Sequence, residues 1–204
     1  IVAWAEAGAP EGDPADAPQY AALVEQVEQD GEWWIGEPDL VLAFGEPYAV
    51  EDEARDVNAD VNLSVPDTYT EAKWIKASEM RAGSPHVHHI CGEPFGCIAP
   101  GWDPYVYPDG YAMLLPPVEE IALGMHYNKP AGEGTAFEDG SRAAVIFYEE
   151  GDTIRHIVRR SVLPVSFDFV IPAGHPDYSV STDFEFEVDT YILSVTPHMH
   201  LRGK

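Results

Sequence analysis

The residues best suited to chemistry in this chain are its eight histidines. Pro197-His198-Met199-His200 contains a His-x-His pair that follows a mostly apolar, strand-like run. Because successive side chains of a β-strand point to opposite faces, two histidines at this spacing share one face about 6.5–7 Å apart. Neutral imidazole binds copper, zinc, iron or nickel, so the pair is suited to hold one metal ion.

Two further histidine contexts are weaker signals when each is taken alone. His88 and His89 are adjacent, so on a regular strand their side chains would diverge. They share a metal only if the backbone bends, for which residues 83–85 (Gly-Ser-Pro) supply a means, or if they use different ring nitrogens. His126 lies within the apolar run 120–127, where a hydrogen-bonded core histidine is the commoner role. The other histidines are interpreted as bystanders, supporting groups or structural residues: His86, His156 and His175.

In their order along the chain, these contexts resemble the copper type II, ascorbate-dependent monooxygenases. That family includes peptidylglycine α-hydroxylating monooxygenase and dopamine β-monooxygenase, and its ligands follow the order His-His, then His-Tyr, then His-x-His. The resemblance covers nearly the whole chain and is closest to bacterial members fused to cytochrome c-like or thioredoxin-like domains. Four segments are typical of those members: residues 34–41, 70–77, 87–90 and 197–204.

The resemblance implies two separated mononuclear copper sites. His88, His89 and His126 resemble the ligands of the first copper, which stores an electron. His198 and His200 resemble two ligands of the second copper, where dioxygen is activated. In the family a methionine from later in the second domain completes that site, and we assign none of this chain's methionines to the role: Met80, Met113, Met125 and Met199.

The reaction implied by the resemblance is hydroxylation of an sp³ C–H bond by dioxygen. The implied partners are a small-molecule or peptide substrate and an electron donor, either ascorbate or a cytochrome, which a fused cytochrome c-like domain could supply. Groups that orient the imidazoles are also expected, and three candidates are plausible: Tyr127, Asp189 and Thr196.

Such ligands need β-strands to gather them, and the sequence favours many short strands. Apolar runs recur from Trp33 onward, separated by many of the 18 prolines and 17 glycines, which is typical of all-β sandwiches. We predict two consecutive antiparallel, jelly-roll-like β-sandwich domains, residues 33–163 and 164–204. The second is expected to continue beyond Lys204, because about 40 residues are too few to form a β-sandwich that is stable alone. The main predicted strands are residues 39–44, 48–50, 73–80, 120–127, 142–148, 166–172, 182–188 and 191–197.

Residues 1–32 differ in character from the rest of the chain. Proline, glycine and aspartate interrupt residues 7–18, which predicts a linker, and residues 20–28 predict one short helix. The Ala-Gly-Ala-Pro-Glu-Gly-Asp-Pro stretch at residues 7–14 resembles the exit from a cytochrome-like domain, so we expect such a domain to precede it.

The charge and cysteine content limit the classes of partner and compartment. Asp and Glu total 36 against 11 Lys and Arg, a net charge of −25 that opposes binding to nucleic acid or anionic lipid. No run of about 18 apolar residues occurs, so no membrane span is predicted.

Cys91 and Cys97 flank a Gly/Pro loop and favour a disulfide, with free thiols or copper ligands as alternatives. A disulfide and the resemblance together indicate a periplasmic or extracellular protein.

Two other functions compete with the monooxygenase. One is a non-catalytic acidic β-module for a surface, a filament or electron transfer, with a structural metal. It is motivated by the acidity and by the missing methionine. The other is a mononuclear zinc or copper hydrolase, which is disfavoured because no carboxylate stands at the usual spacing for a general base beside His-x-His.

Overall fold

The computed structural model describes residues 33–99, 102–160, 169–175 and 177–195, together with Gly8. Within this part of the chain the regular elements are all β-strands, and no helix that could cross a membrane is found there. The strands are β1 (Leu40–Phe44), β2 (Tyr48–Val50), β3 (Asp56–Ser64), β4 (Lys73–Arg81), β5 (Val87–Gly92), β6 (Gly96–Ile98), β7 (Tyr105–Val106), β8 (Tyr111–Leu115), β9 (Glu120–Asn128), β10 (Phe137–Asp139), β11 (Arg142–Phe147) and β12 (His156–Ile157).

The strands form one large curled sheet, shaped like half a barrel, and one two-stranded sheet. The large sheet follows the order β12-β8-β4-β11-β1-β3-β9-β5-β6, with β7 paired to β4 outside this path. Its pairs are antiparallel except β12 with β8, which are parallel. β2 and β10 make the small antiparallel sheet. The prediction of an all-β fold is confirmed.

The expected pair of β-sandwiches is wrong for the described residues. One curled sheet, not two facing sheets, surrounds the core of the first of two compact units, which are residues 1–160 and 161–204. In the second unit, the described residues 169–175 and 177–195 form no strand, although strands were expected over 182–188 and 191–197.

The described residues of the second unit lack the paired neighbours that a strand requires. Phe184 and Phe186 alternate with acidic residues, as in a half-buried strand, but are 50% and 41% exposed. A strand needs hydrogen-bonding neighbours and a layer over its apolar face, and residues 177–195 have no paired strand. The domain boundaries stay predictions, and the helix expected at residues 20–28 lies outside the described residues.

The core lies on one face of the large sheet. Strands β1, β3, β4, β9 and β11 each direct an almost fully buried aliphatic side chain into it, and burying one such side chain contributes about 1.5–3 kcal/mol. These residues are Leu42, Leu63, Ile75, Leu123 and Val145. Strand β9 alternates strictly between buried and more exposed residues, so its second face is available for a site.

A buried polar network lies beneath β9. The Tyr127 hydroxyl donates to Asp139 Oδ2 at 3.0 Å, and the Ser141 hydroxyl donates to the same oxygen at 2.8 Å. The backbone N–H of Gly83 donates to Ser141 Oγ at 3.0 Å. Burial raises the pKa of the Asp139 carboxyl, and burial together with the neighbouring Asp139 raises the pKa of Tyr127.

Candidate metal centre

His126 lies on the outer face of β9, opposite the core. Its neighbours Met125 and Tyr127 are 1% and 0% exposed, whereas the His126 side chain is 20% exposed. The alternation of side chains along a strand explains this difference between adjacent residues. The alternative of a core histidine is therefore wrong for His126.

A β-bulge places His88 and His89 on that same outer face. In the pairing of β5 with β9, Val87 is opposite Tyr127 and His89 is opposite His126, so β5 advances two residues while β9 advances one. His88 is the extra residue, and the bulge lets two consecutive side chains lie on one side of the sheet. Val87 and Ile90, on either side of the pair, still face the core at 2% and 1% exposure.

The bend that the adjacent pair requires is thus within β5 itself. From the sequence, a bend was expected at the pair itself, with residues 83–85 just upstream as the means; the irregularity of the ladder falls between Val87 and His89. No glycine or proline occupies that position.

The three imidazoles converge on one point. One ligand nitrogen from each of His88, His89 and His126 lies within 4.8 Å of the other two. The ring centroids are 5.4 Å apart for His88 and His89, 5.0 Å for His88 and His126, and 4.8 Å for His89 and His126. Metal–nitrogen bonds of about 2.0–2.1 Å place tetrahedral ligands about 3.3 Å apart, so side-chain movements of roughly 1.5 Å complete a site.

The arrangement suits a metal with three nitrogen ligands and a further open position. His88 is exposed and the other two rings are half-buried, so solvent reaches the side of the cluster away from the sheet. Beside His89 lies a shallow groove of about 260 Å³ that also includes Asn58, Asp60 and Gly124. The three-histidine group could hold a metal ion, and its donor set suits several transition metals.

Asp56 is a neighbour of this cluster that the sequence analysis missed. Its Oδ1 lies 2.6 Å from His126 Nε2. It belongs to β3, which was not predicted because its sequence, Asp-Val-Asn-Ala-Asp-Val-Asn-Leu-Ser, is rich in residues that strands usually avoid. The strict alternation of Asp or Asn with apolar residues was the signal that could have found it.

Of the expected supporting residues, only Tyr127 belongs to the described part of the first unit. Tyr127 points into the core and donates to Asp139, away from the histidine face. Asp189 is an exposed residue of the second unit, and Thr196 lies outside the described residues. The expected ligands His198 and His200, with Met199 between them, also lie outside the described residues.

The remaining histidines pack against aromatic rings. The ring centroid of His86 is 5.0 Å from that of Phe137, and the His156 ring stacks on Tyr111 at 4.4 Å. His175 meets Tyr178 edge to face at 5.6 Å. Three methionines of the first unit are buried: Met80, Met113 and Met125.

Cys91 and Cys97 form a disulfide, as predicted. They are direct partners in the antiparallel pairing of β5 with β6, with Cα atoms 4.0 Å apart. The bridge excludes both sulfurs as thiolate ligands in this oxidised form. It fastens the edge strand β6 to the strand that bears the histidine pair, and disulfides of this kind are typical of oxidising compartments.

Comparisons of this chain with protein-family models, with curated proteins and with solved structures found no match. The family resemblance therefore stays a prediction that depends on the histidine pattern.

Proposed function

We propose that this chain is part of a copper-dependent monooxygenase that hydroxylates an sp³ C–H bond, using dioxygen and an external reductant. The observation that supports the proposal is the convergence of His88, His89 and His126 from two strands. These are the residues that the family resemblance assigns to the electron-storing copper. His198 and His200, the proposed ligands of a second copper, complete the proposal.

The donor set favours a transition metal over magnesium or calcium, and the family resemblance is the reason for proposing copper. All three members of the group are imidazoles, with no cysteine and no carboxylate, so hard oxygen-preferring ions such as magnesium and calcium are disfavoured. Imidazole is a ligand for both Cu(I) and Cu(II), and copper bound here would supply one-electron chemistry. Structural zinc sites usually have four protein ligands and are closed, but catalytic zinc sites also combine three protein ligands with an open position, so the choice of copper over zinc comes from the family resemblance.

The chain's own residues supply the scaffold for this role. The bulge in β5 and the β5–β9 pairing place the three rings on one face of the sheet, where they would hold a copper ion that supplies one-electron chemistry. The open side of the cluster would admit an electron donor. The net charge of −25 would favour a donor with a basic surface, such as a cytochrome, by electrostatic steering.

The localisation proposed with this function is periplasmic or extracellular. The Cys91–Cys97 disulfide supports an oxidising compartment. The substrate would be a small molecule or a peptide.

The experiment that tests the proposal is copper titration of the complete protein, with quantification of metal per protein molecule. We expect two coppers in the complete protein and one in each of its His126→Ala and His198→Ala variants. His156→Ala is the matched control, because that ring stacks on Tyr111 in β8 and is not a proposed ligand. If His126→Ala retains the full copper content of the wild type, the first site is not where we propose it.

Catalysis distinguishes the enzyme from a non-catalytic module with a structural metal. Copper-loaded protein should consume dioxygen when ascorbate and an oxidisable substrate are supplied together. Stoichiometric copper binding with no oxygen consumption, or zinc instead of copper in protein purified from its native host, would favour the non-catalytic module.

A further inference from the structure

We propose that Asp56 is a positioning residue of the candidate metal centre. Its carboxylate accepts a hydrogen bond from Nε2–H of His126 and leaves Nδ1 of that ring as the nitrogen free to bind the metal. This inference rests on the proposed function only in taking His88, His89 and His126 as a metal site.

The contact is short and direct. Asp56 Oδ1 and His126 Nε2 are 2.6 Å apart, a distance typical of a strong hydrogen bond to a charged acceptor. Since a neutral imidazole has one protonated nitrogen and one lone pair, a carboxylate at Nε2 selects the form in which Nδ1 has the lone pair.

The backbone fixes where this carboxylate lies. β3 and β9 pair in register from Asp56 opposite Asn128 to Ser64 opposite Glu120, and Asn58 is the residue directly opposite His126. Asp56 is therefore the diagonal neighbour of His126 on the same face, within reach of a long side chain. The longest antiparallel ladder of the sheet thus holds both partners of the contact.

A carboxylate at the second nitrogen of a ligating histidine has two effects. It restricts rotation of the ring, and it makes the opposite nitrogen a stronger donor to the metal. Removal of such a partner typically weakens metal binding by 10–100-fold. Asp56 is 61% exposed, so water competes for the contact, and we expect an effect at the lower end of that range.

Asp60 provides a matched control on the same strand. It is the other diagonal neighbour of His126 on the same face of β3, opposite Gly124, whereas the carboxylate in contact with His126 belongs to Asp56. Its substitution removes the same charge from the same surface without removing the carboxylate that contacts His126.

The test is the copper affinity of the full chain, measured with Cu(II) against a competing chelator and combined with the electron paramagnetic resonance spectrum. We expect Asp56→Ala to bind the first copper about tenfold more weakly and with altered hyperfine splitting. Asp56→Asn should lose less, because the amide oxygen still accepts a hydrogen bond. Asp60→Ala should stay within about twofold of the wild type, since it leaves the contact between Asp56 and His126 in place.

Two results would overturn the inference. One is an Asp56→Ala protein with wild-type affinity and spectrum. The other is an equal loss in Asp60→Ala, which would indicate a general charge effect. His126→Ala separates this failure from failure of the proposed function. If His126→Ala lowers copper binding while Asp56→Ala does not, only the positioning role is wrong; if neither lowers it, the metal site is wrong as well.

Discussion

His126 and Tyr127 are adjacent in β9 but lie in opposite environments. His126 faces solvent with the other two histidines, whereas Tyr127 is fully buried and donates to Asp139. The residue types of the candidate site could be identified from the sequence, because clustered histidines at strand-like spacing are unusual. Asp56 could not, since an aspartate among 36 acidic residues is not distinctive until the pairing of β3 with β9 is known.

Tyr127→Phe should destabilise the protein without weakening the metal site. The substitution removes one donor to the buried Asp139 carboxyl, which typically costs about 1–3 kcal/mol, and its ring points away from the histidines. Urea denaturation at neutral pH measures the loss, and copper titration checks the site. Tyr48→Phe is the control, because it keeps the ring that stacks on Tyr127 at 5.6 Å.

The same variant should change the response to alkaline pH. Because the pKa of Tyr127 is raised in the folded state, the unfolded chain loses this proton first, near pH 10. The contribution to stability is therefore complete below about pH 10 and is lost as the pH rises above it. Wild-type and Tyr127→Phe proteins that lose stability equally between about pH 9 and 11 would contradict this account.

At the scale of elements, the strands with strong apolar patterns were predictable. Those observed as β1, β2, β4, β9 and β11 coincide with runs identified from the sequence. β3 was missed because its outward residues are Asp and Asn, and β8 because it is short and lies between prolines. The bulge at His88 was not predictable either, since it depends on the register between β5 and β9.

Deletion of His88 should remove the bulge while preserving the core. Without His88, the sequence of β5 reads Val87, His89, Ile90, so the side chains alternate regularly. Val87 and Ile90 then still face the core, and His89 faces outward. We expect a folded protein whose thermal unfolding midpoint is at or above that of the wild type, with copper affinity lowered at least tenfold.

His88→Ala is the companion variant for this deletion. It removes the same imidazole and leaves the bulge in place, so its copper affinity should fall to a similar extent. A deletion variant that fails to fold while His88→Ala folds normally would show that the bulge is needed for the sheet itself.

At the scale of the whole molecule, composition identified the class of fold but not its architecture. Alternating sequence predicted strands in both units, yet all the strands of the described residues lie in the first. Strand pairing depends on neighbours that no local pattern specifies, which is why the prediction of two sandwiches was wrong. The second proposed copper site falls on residues outside those described, so His198 and His200 stay predictions.

The net charge of −25 predicts that added salt stabilises the protein. Excess like charge repels itself in the compact state, and salt screens that repulsion. Raising sodium chloride from about 0.01 M to 0.5 M should increase the unfolding midpoint by about 2–4 °C, the shift that about 1 kcal/mol produces in a chain of this size. Differential scanning calorimetry measures the unfolding midpoint. An equal rise with sodium bromide would identify charge screening as the cause. A midpoint that falls as salt is added would contradict the prediction.

The bulge in β5 also has a consequence for how such a centre can arise. Val87 and Ile90 are buried on either side of the histidine pair, and His88 is the one residue that a regular ladder would not contain. Insertion of a single codon into a gene that encodes an ordinary strand is therefore enough to add a second outward imidazole beside the first. Mutation could gain or lose the centre in one event while the ancestral core stays intact.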